Sequence, residues 1–185
     1  MIIKNINLNP SRIGIIKILK KMNANIRIIN KRKYNCEHVG DIHVKNTSNL
    51  KSINCPEKLN TSAIDEFLLI FLIAAKSNGV SLFKNLNELN KKESPRLNIA
   101  VNFLRMIGIK VVRKKDNIKI FGNSSLNLKK DYHIKNFDKD HRVFMMSVIA
   151  ALTLGGNWKI DDRESIKTSF PKFIEITKSL GGKIN

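Results

Sequence analysis

The sequence predicts a mixed α/β (α+β) domain built from repeated αβαββ units. Two observations support this prediction: an amphipathic helix followed by a short strand recurs three times, and a more uniformly apolar helix followed by a strand precedes two of these repeats. The repeats are spaced far more widely than the roughly 20–50 residues of a solenoid. We therefore expect one domain of pseudo-equivalent units, in which helices and small sheets share a core.

The three amphipathic segments span residues 9–26, 93–111 and 168–184. Each opens with Ser and Pro close together, so we expect the Ser to cap the N-terminus of the helix that follows. Gly108 and Gly181 stand where the second and third helices should stop, and Asn23 takes that place in the first. Glycine and asparagine tolerate the left-handed conformation that commonly ends a helix. The pattern therefore predicts three helices, each leading into a strand.

The two apolar helices are predicted from Asp65 to Ala75 and from His141 to Leu154. The strands predicted nearby are residues 80–83, 157–160 and the pair 111–113 with 118–121. The units are expected at residues 1–60, 61–130 and 131–185. We expect the first unit to lack its opening helix and strand, with the chain beginning inside that unit.

Lys and Arg number 34 against 15 Asp and Glu, which gives a net charge of +19. Such an excess attracts nucleic acid, lipid headgroups or phosphorylated metabolites. Alternatively, it reflects the Lys, Ile and Asn bias of an AT-rich genome. No zinc-finger spacing, Gly-x-x-Gly clamp or aromatic-rich RNA-binding pattern accompanies it, and aromatic residues make up only 6%. A nucleic acid partner is therefore not expected, although a basic nucleic-acid-binding module stays open as an alternative.

Cys36 and Cys55 form no Cys-x-x-Cys pair, so we expect free thiols and no metal site. The longest apolar run, residues 67–75, is much shorter than the ~20 residues that span a bilayer. Residues 1–30 carry no signal-peptide pattern, because charged residues and Asn interrupt each apolar run. These features predict a cytoplasmic protein without a membrane partner.

Charged residues cluster where the helices are predicted to begin: Asp65-Glu66, residues 91–96, Asp140-His141-Arg142, Lys167-Thr168-Ser169, and Arg12 in the first unit. Helix N-termini carry free N–H groups and a partial positive charge, so they favour anions. Symmetry between the units would bring these ends to one face as a phosphate-binding rim. The structural interpretation is that Asp caps a helix, that the Lys-Glu-Ser-Pro-Arg segment is a surface turn, and that His141 serves packing.

These charged clusters lie in segments that resemble the motifs of a known enzyme family. Residues 87–96 resemble the E-L-R-x-K-E-S-D-R signature of the 3-phosphoshikimate 1-carboxyvinyltransferase (EPSP synthase) family. Four further segments resemble the family motifs D-H-R-x-x-M, I-D-E, T-S-F-P-x-F and N-P-x-R-x-G: residues 140–145, 64–66, 168–173 and 9–14. All five occur in the family order, with about the family spacing, over nearly the whole chain. Each motif alone is weak, and the ordered set is specific.

The resemblance implies an enolpyruvyl transferase-like domain, with helices packed inside small sheets, that corresponds to the C-terminal half of the enzyme. The family transfers the enolpyruvyl group of phosphoenolpyruvate to the 5-hydroxyl of shikimate 3-phosphate, releases phosphate, and needs no cofactor. Its active site lies between two domains. The N-terminal half is therefore an expected partner, and the chain alone is expected to be inactive. A non-catalytic remnant of the transferase is the further alternative.

By resemblance, Arg96 and Arg142 bind phosphoenolpyruvate, and Lys92 lies near it and the reacting hydroxyl. Arg suits phosphate and carboxylate because it binds them through two parallel hydrogen bonds. Thr168 is a further substrate-binding candidate, at a position where some members have a catalytic Lys. Lys167 lies one place away.

The resemblance also implies the acid–base groups. Asp65 would remove the proton of the 5-hydroxyl, and Glu93 would protonate the methylene carbon, because two carboxyl groups in different environments can divide these roles. His141 would support the site by hydrogen bonding. Two positions depart from the signature: Asn90 replaces its first Arg, and Pro95 replaces the Asp before Arg96.

Overall fold

A computed structural model describes residues 1–184. Its α-helices are α1 (Gly14–Lys21), α2 (Phe67–Ala75), α3 (Arg96–Met106), α4 (His141–Leu154) and α5 (Phe173–Ser179). Its strands are β1 (Ile2–Asn7), β2 (Ile26–Tyr34), β3 (Glu37–Val44), β4 (Val80–Phe83), β5 (Val111–Lys114), β6 (Asn117–Phe121), β7 (Leu128–Ile134) and β8 (Gly155–Ile160). The α/β (α+β) prediction is confirmed. Within residues 1–184, no helix is both long and apolar enough to cross a membrane.

The strands form three small sheets. The first has the order β1-β3-β2 and the second β4-β6-β5, with every neighbouring pair antiparallel. In the third, β7 pairs with β8 in parallel. The first two sheets thus repeat one arrangement: a strand, a helix, and a hairpin whose second strand returns to pair with the first.

Packing of helices inside the sheets explains the apolar character of α2. Seven of its nine residues are buried, as expected for a helix that is hydrophobic on all sides. Phe67 and Phe71 of α2 meet Phe83 of β4, with ring centroids 5.1 to 6.0 Å apart. Helices α3 and α4 pack on α2 in turn. One shared core therefore fixes the starts of three helices relative to one another.

The predicted helix ends are confirmed. Asn23, Gly108 and Gly181 all have positive φ angles, of 67°, 82° and 96°. The predicted Ser caps are wrong, since no Ser side chain caps α1, α3 or α5. Ser94 instead donates its hydroxyl to Asp140 Oδ2 at 2.8 Å, because both residues are buried and need partners.

Strand β1 was not expected, and it occupies the place in the first sheet that β4 occupies in the second. The expectation that the first unit lacks its opening strand is therefore wrong. Strand β7 crosses the expected boundary at residue 130, and the division at residues 60 and 130 stays a prediction.

A close contact joins the first unit to the start of α2. A Cβ on Gly14 would lie 2.5 Å from Ser62, so only glycine permits this approach of α1 to the short 3₁₀ turn Thr61–Ala63. This contact places the segment that contains Arg12 next to the turn that contains Asp65.

Candidate active site

Cationic residues from three helix starts converge on the carboxylate of Asp65, which lies at a fourth. Its oxygens lie 3.4 Å from Arg142, 3.5 Å from Arg96, 3.6 Å from Arg12 and 3.9 Å from Lys92. Arg142 also donates to the Asp65 carbonyl oxygen at 3.1 Å. Asp65 itself lies in the turn before α2, and the cations come from the segments that begin α1, α3 and α4. Four of the five predicted charged clusters therefore meet at Asp65, and the cluster at residues 167–169 is not among them.

Arg96 is the buried centre of this cluster, with 1% of its side chain exposed. Its Nε donates to Asp140 Oδ2 at 2.8 Å, and one terminal nitrogen bonds both Asp140 and Glu93. The other terminal nitrogen points to Asp65 at 3.5 Å and has no hydrogen-bond partner within the described residues. A buried guanidinium nitrogen without a partner is costly unless a ligand completes it.

Asp140 connects Arg96 to the start of α4. Its carboxylate accepts from the backbone N–H groups of Arg142 and Val143 and so caps the helix. Burial alone would raise its pKa, but hydrogen bonds from Arg96 and Ser94 hold the pKa of Asp140 below its ordinary value. Asp140 is therefore a buried anion that orients the Arg96 side chain and holds the backbone at Arg142. With Pro95 in place of the signature Asp, Arg96 takes its orientation from α4.

The remaining cations of the cluster reach solvent. The exposed fraction of the side chain is 69% for Arg12, 31% for Lys92 and 29% for Arg142. They surround a carboxylate that is mostly covered, with 18% exposed. A small anion can therefore meet several cations at one place while Asp65 stays within reach of a hydroxyl proton.

The other candidates are placed differently. Glu93 joins the cluster through Arg96, although 59% of its side chain is exposed. His141 begins α4 and is half-buried, and its ring makes no hydrogen bond within residues 1–184. Thr168 is exposed after the 3₁₀ turn Arg163–Ile166, and no side-chain hydrogen bond in the described residues links it to Asp65. The structure thus brings together Asp65, Lys92, Glu93, Arg96 and Arg142, and it does not join His141 and Thr168 to them.

Two residues of the cluster were not among the predicted site residues. Arg12 was predicted as one of the converging helix starts and as part of the 9–14 motif, without a role of its own, and it lies 3.6 Å from the Asp65 carboxylate. Glu66 is half-buried next to Asp65, and burial raises the pKa of its carboxyl group above the ordinary value. Asp65 adds to the rise, while Arg142 and Arg12 oppose it.

We expect Glu66→Gln to raise the melting temperature at pH 7. A carboxyl group whose pKa is raised by folding favours folding when protonated, and this contribution is lost as the pH rises through the folded pKa. The neutral amide avoids that loss, so the advantage of the variant should disappear below the ordinary pKa of Glu. Thermal unfolding at pH 4 and pH 7 measures the difference in melting temperature between the variant and the native chain. Glu175→Gln, at an exposed position, is the control. A variant less stable than the native chain at pH 7 would contradict the account.

Within residues 1–184, no three His, Cys, Asp or Glu side chains group as a metal site. Both cysteines are free, and burial raises the pKa of Cys55 to about 11.

Comparisons with known proteins identify the family. The family model for EPSP synthase (3-phosphoshikimate 1-carboxyvinyltransferase) matches residues 1–177. A 3-phosphoshikimate 1-carboxyvinyltransferase of Ruthia magnifica is 37% identical over 180 residues, which cover 97% of this chain and 40% of the relative. One of Zymomonas mobilis is 36% identical over 185 residues, which cover 99% of this chain and 41% of the relative.

Solved structures agree with these relatives. An EPSP synthase from Acinetobacter baumannii superposes with a TM-score of 0.91 and 33% identity, over 100% of this chain and 42% of that chain. The enolpyruvyl transferase NikO from Streptomyces tendae, at 14% identity and a TM-score of 0.68, shares the fold. The chain spans about 40% of the length of the relatives that it matches. From its sequence and its fold alike, the chain belongs to the EPSP synthase family.

Proposed function

We propose that this chain supplies one wall of the active site of an enolpyruvyl transferase that acts on phosphoenolpyruvate and shikimate 3-phosphate. The observation that supports this most is the Asp65 carboxylate with four cationic side chains within 4 Å. Both substrates carry a phosphate and a carboxylate, so a site for them needs several cations at one place. It also needs a base close to those cations.

Arg142 and Lys92 suit the binding of phosphoenolpyruvate, because both reach solvent and both lie beside Asp65. Arg96 is buried, including its one terminal nitrogen without a hydrogen-bond partner, so it contributes positive charge to the site and no solvent-exposed contact. Its carboxylate partners hold that nitrogen in a fixed direction, which reduces the ordering cost when substrate binds. Arg12 adds an exposed cation 3.6 Å from the same carboxylate.

Asp65 is the proposed base for the 5-hydroxyl of shikimate 3-phosphate. The hydroxyl oxygen bonds to the central carbon of phosphoenolpyruvate. At the same time the methylene carbon of phosphoenolpyruvate takes a proton, for which Glu93 is the proposed donor. The Glu93 carboxylate then takes a proton back from the new methyl group as phosphate leaves the central carbon, which regenerates the double bond. Glu93 is 59% exposed, so on this wall alone it faces solvent, and the second wall would have to cover it to exclude water from the reacting carbon.

The second wall is the proposed partner, a polypeptide that corresponds to the N-terminal half of the enzyme. Two anions must be held in one orientation for the transfer, and a single open wall does not provide that. We therefore expect no measurable transferase activity from this chain alone.

Isothermal titration tests the proposal. The partner is a separate polypeptide that comprises the part of the Ruthia magnifica relative outside the 180 aligned residues, called here the complementary polypeptide. Shikimate 3-phosphate and phosphoenolpyruvate should produce binding heat with the two polypeptides together and not with this chain alone. Absence of heat from a formed complex would favour a non-catalytic remnant. Salt-dependent DNA binding without any response to either substrate would favour the nucleic-acid module.

A further inference from the structure

A cavity lies between α3 and the segment that connects β7 to α4. Its volume is about 290 Å³, close to the lower end of the roughly 300–1,000 Å³ that is typical of small-molecule sites. It is separate from the candidate active site, because neither Asp65 nor any of the four cations around Asp65 lines it. Six apolar side chains form most of its wall: Ile99, Phe103, Met106, Ile134, Phe137 and Val143.

Most of this wall is fixed by the core. Phe103, Ile134, Phe137 and Val143 are each buried, with at most 7% exposed. Close packing around such side chains holds them in place, so the apolar surface of the cavity is already formed without a ligand. Met106 is 42% exposed, so the cavity opens to solvent beside it.

The polar part of the lining includes a cation and no carboxylate. It consists of Asn102, His133, Lys135 and Asn136. His133 already pairs with Asp161, at 3.0 Å from its ring Nε2. Lys135 is exposed, and within residues 1–184 it forms no salt bridge. A single free ammonium group beside an apolar wall is best matched by a ligand with one carboxylate and an apolar body.

Residues 136–139, part of which lines the cavity, have an unusual backbone conformation. Asn136, Asp138 and Lys139 have positive φ angles of 57°, 53° and 54°. Asparagine and aspartate tolerate this conformation, whereas a lysine rarely adopts it. Strained backbone of this kind is concentrated at segments that hold ligands. The Phe137 carbonyl also accepts the N–H of Asp140 at 3.0 Å, so this segment leads directly into the cap of α4.

We propose that this cavity binds a small monocarboxylate whose apolar part is about the size of a phenyl group. The apolar part packs on Phe103 and Phe137, and the carboxylate pairs with Lys135. The inference goes beyond the proposed function and does not depend on it, because it uses none of the residues around Asp65.

Met106 provides the readout, because it is the one methionine among five that lines the cavity. This chain, labelled with carbon-13 at its methionine methyl groups, is titrated with the probe 3-phenylpropionate. We expect the Met106 resonance to shift and to saturate with a dissociation constant of about 1 mM, a usual strength for so small a ligand. Met1 is 62% exposed and does not line the cavity, so its resonance reports adsorption to the surface and should not shift.

A charge variant tests the contact with the carboxylate. Lys135 is exposed, so Lys135→Glu should fold normally and weaken binding of 3-phenylpropionate about tenfold. Lys129→Glu makes the same change at an exposed position of β7 outside the cavity and should leave the affinity within about twofold. The neutral 3-phenylpropanamide should bind the native chain more weakly than the carboxylate does. Equal affinities of the two variants for 3-phenylpropionate would overturn the pairing with Lys135.

Binding elsewhere has a different signature. Trp158 lines two other cavities of residues 1–184 and does not line this one. A shift of the Trp158 indole resonance without a shift of Met106 would place the probe in one of those cavities and overturn the proposal. Parallel shifts of Met1 and Met106 that do not saturate would show surface adsorption only, and would overturn it as well. Either result would leave the proposed function at Asp65 unaffected.

Discussion

Asp140→Ala should lower the stability of the chain by about 3–5 kcal/mol, because it leaves the buried Arg96 guanidinium without its main counter-charge. The change also removes the cap of α4 and the acceptor of the Ser94 hydroxyl. For a chain of this size, such a loss corresponds to a fall in melting temperature of roughly 10 °C. Thermal and urea unfolding at pH 7 measure it.

The matched control is Glu164→Ala. Glu164 pairs with Lys167 on the surface and is well exposed, so its removal should change stability by less than about 1 kcal/mol. The effect of Asp140→Ala should also depend on pH. Folding lowers the pKa of Asp140, so its stabilisation is present above the ordinary pKa of Asp and is lost as the pH falls through the folded pKa. Equal stability of the two variants at pH 7 would mean that Asp140 does not hold Arg96.

Asp65→Asn should reduce the turnover number of this chain mixed with the complementary polypeptide by about 10²–10⁴-fold, the usual contribution of a general base. The amide keeps the shape of the side chain and cannot accept the proton of the hydroxyl. It also removes the negative charge from among four cations, so the site should bind the two anionic substrates as tightly as before or more tightly. The predicted signature is a large fall in kcat with KM unchanged or lower.

Steady-state kinetics of the two polypeptides together measure this change. Glu88→Gln removes one charge from an exposed surface pair and should leave both constants unchanged. A rise in KM at constant kcat would make Asp65 a binding residue and would contradict its role as base.

The sequence was sufficient to predict most of the helices. Helix α4 begins at His141 and ends at Leu154, as its apolar pattern predicted, and α2 begins two residues after the predicted Asp65. These elements are well predicted because their apolar residues and end signals are local. Strand β1 was missed, since Lys4 and Asn5 interrupt its apolar pattern and its partner β3 lies more than thirty residues further along the chain.

The candidate site was predictable as a set of helix starts and motifs. The geometry of Arg96 was not, because its burial depends on Asp140, 44 positions away, and on Ser94, whose hydroxyl turns to that carboxylate and does not cap α3. Arg12 was predicted to lie on the same face, but its contact with Asp65 was not predicted, since that contact depends on the close packing of Gly14 against Ser62. Local pattern therefore gave the residue types, and tertiary contacts decided which of them meet.

The most direct test of the account is the reaction of the two polypeptides together. Carbon-13-labelled phosphoenolpyruvate and shikimate 3-phosphate are added to this chain, to the complementary polypeptide, and to both, and the vinyl carbons are followed by NMR while released phosphate is measured. The account predicts an enolpyruvyl ether product with one phosphate per turnover from the mixture and none from either polypeptide alone. Product from this chain alone, or none from a folded complex of the two polypeptides, would contradict it.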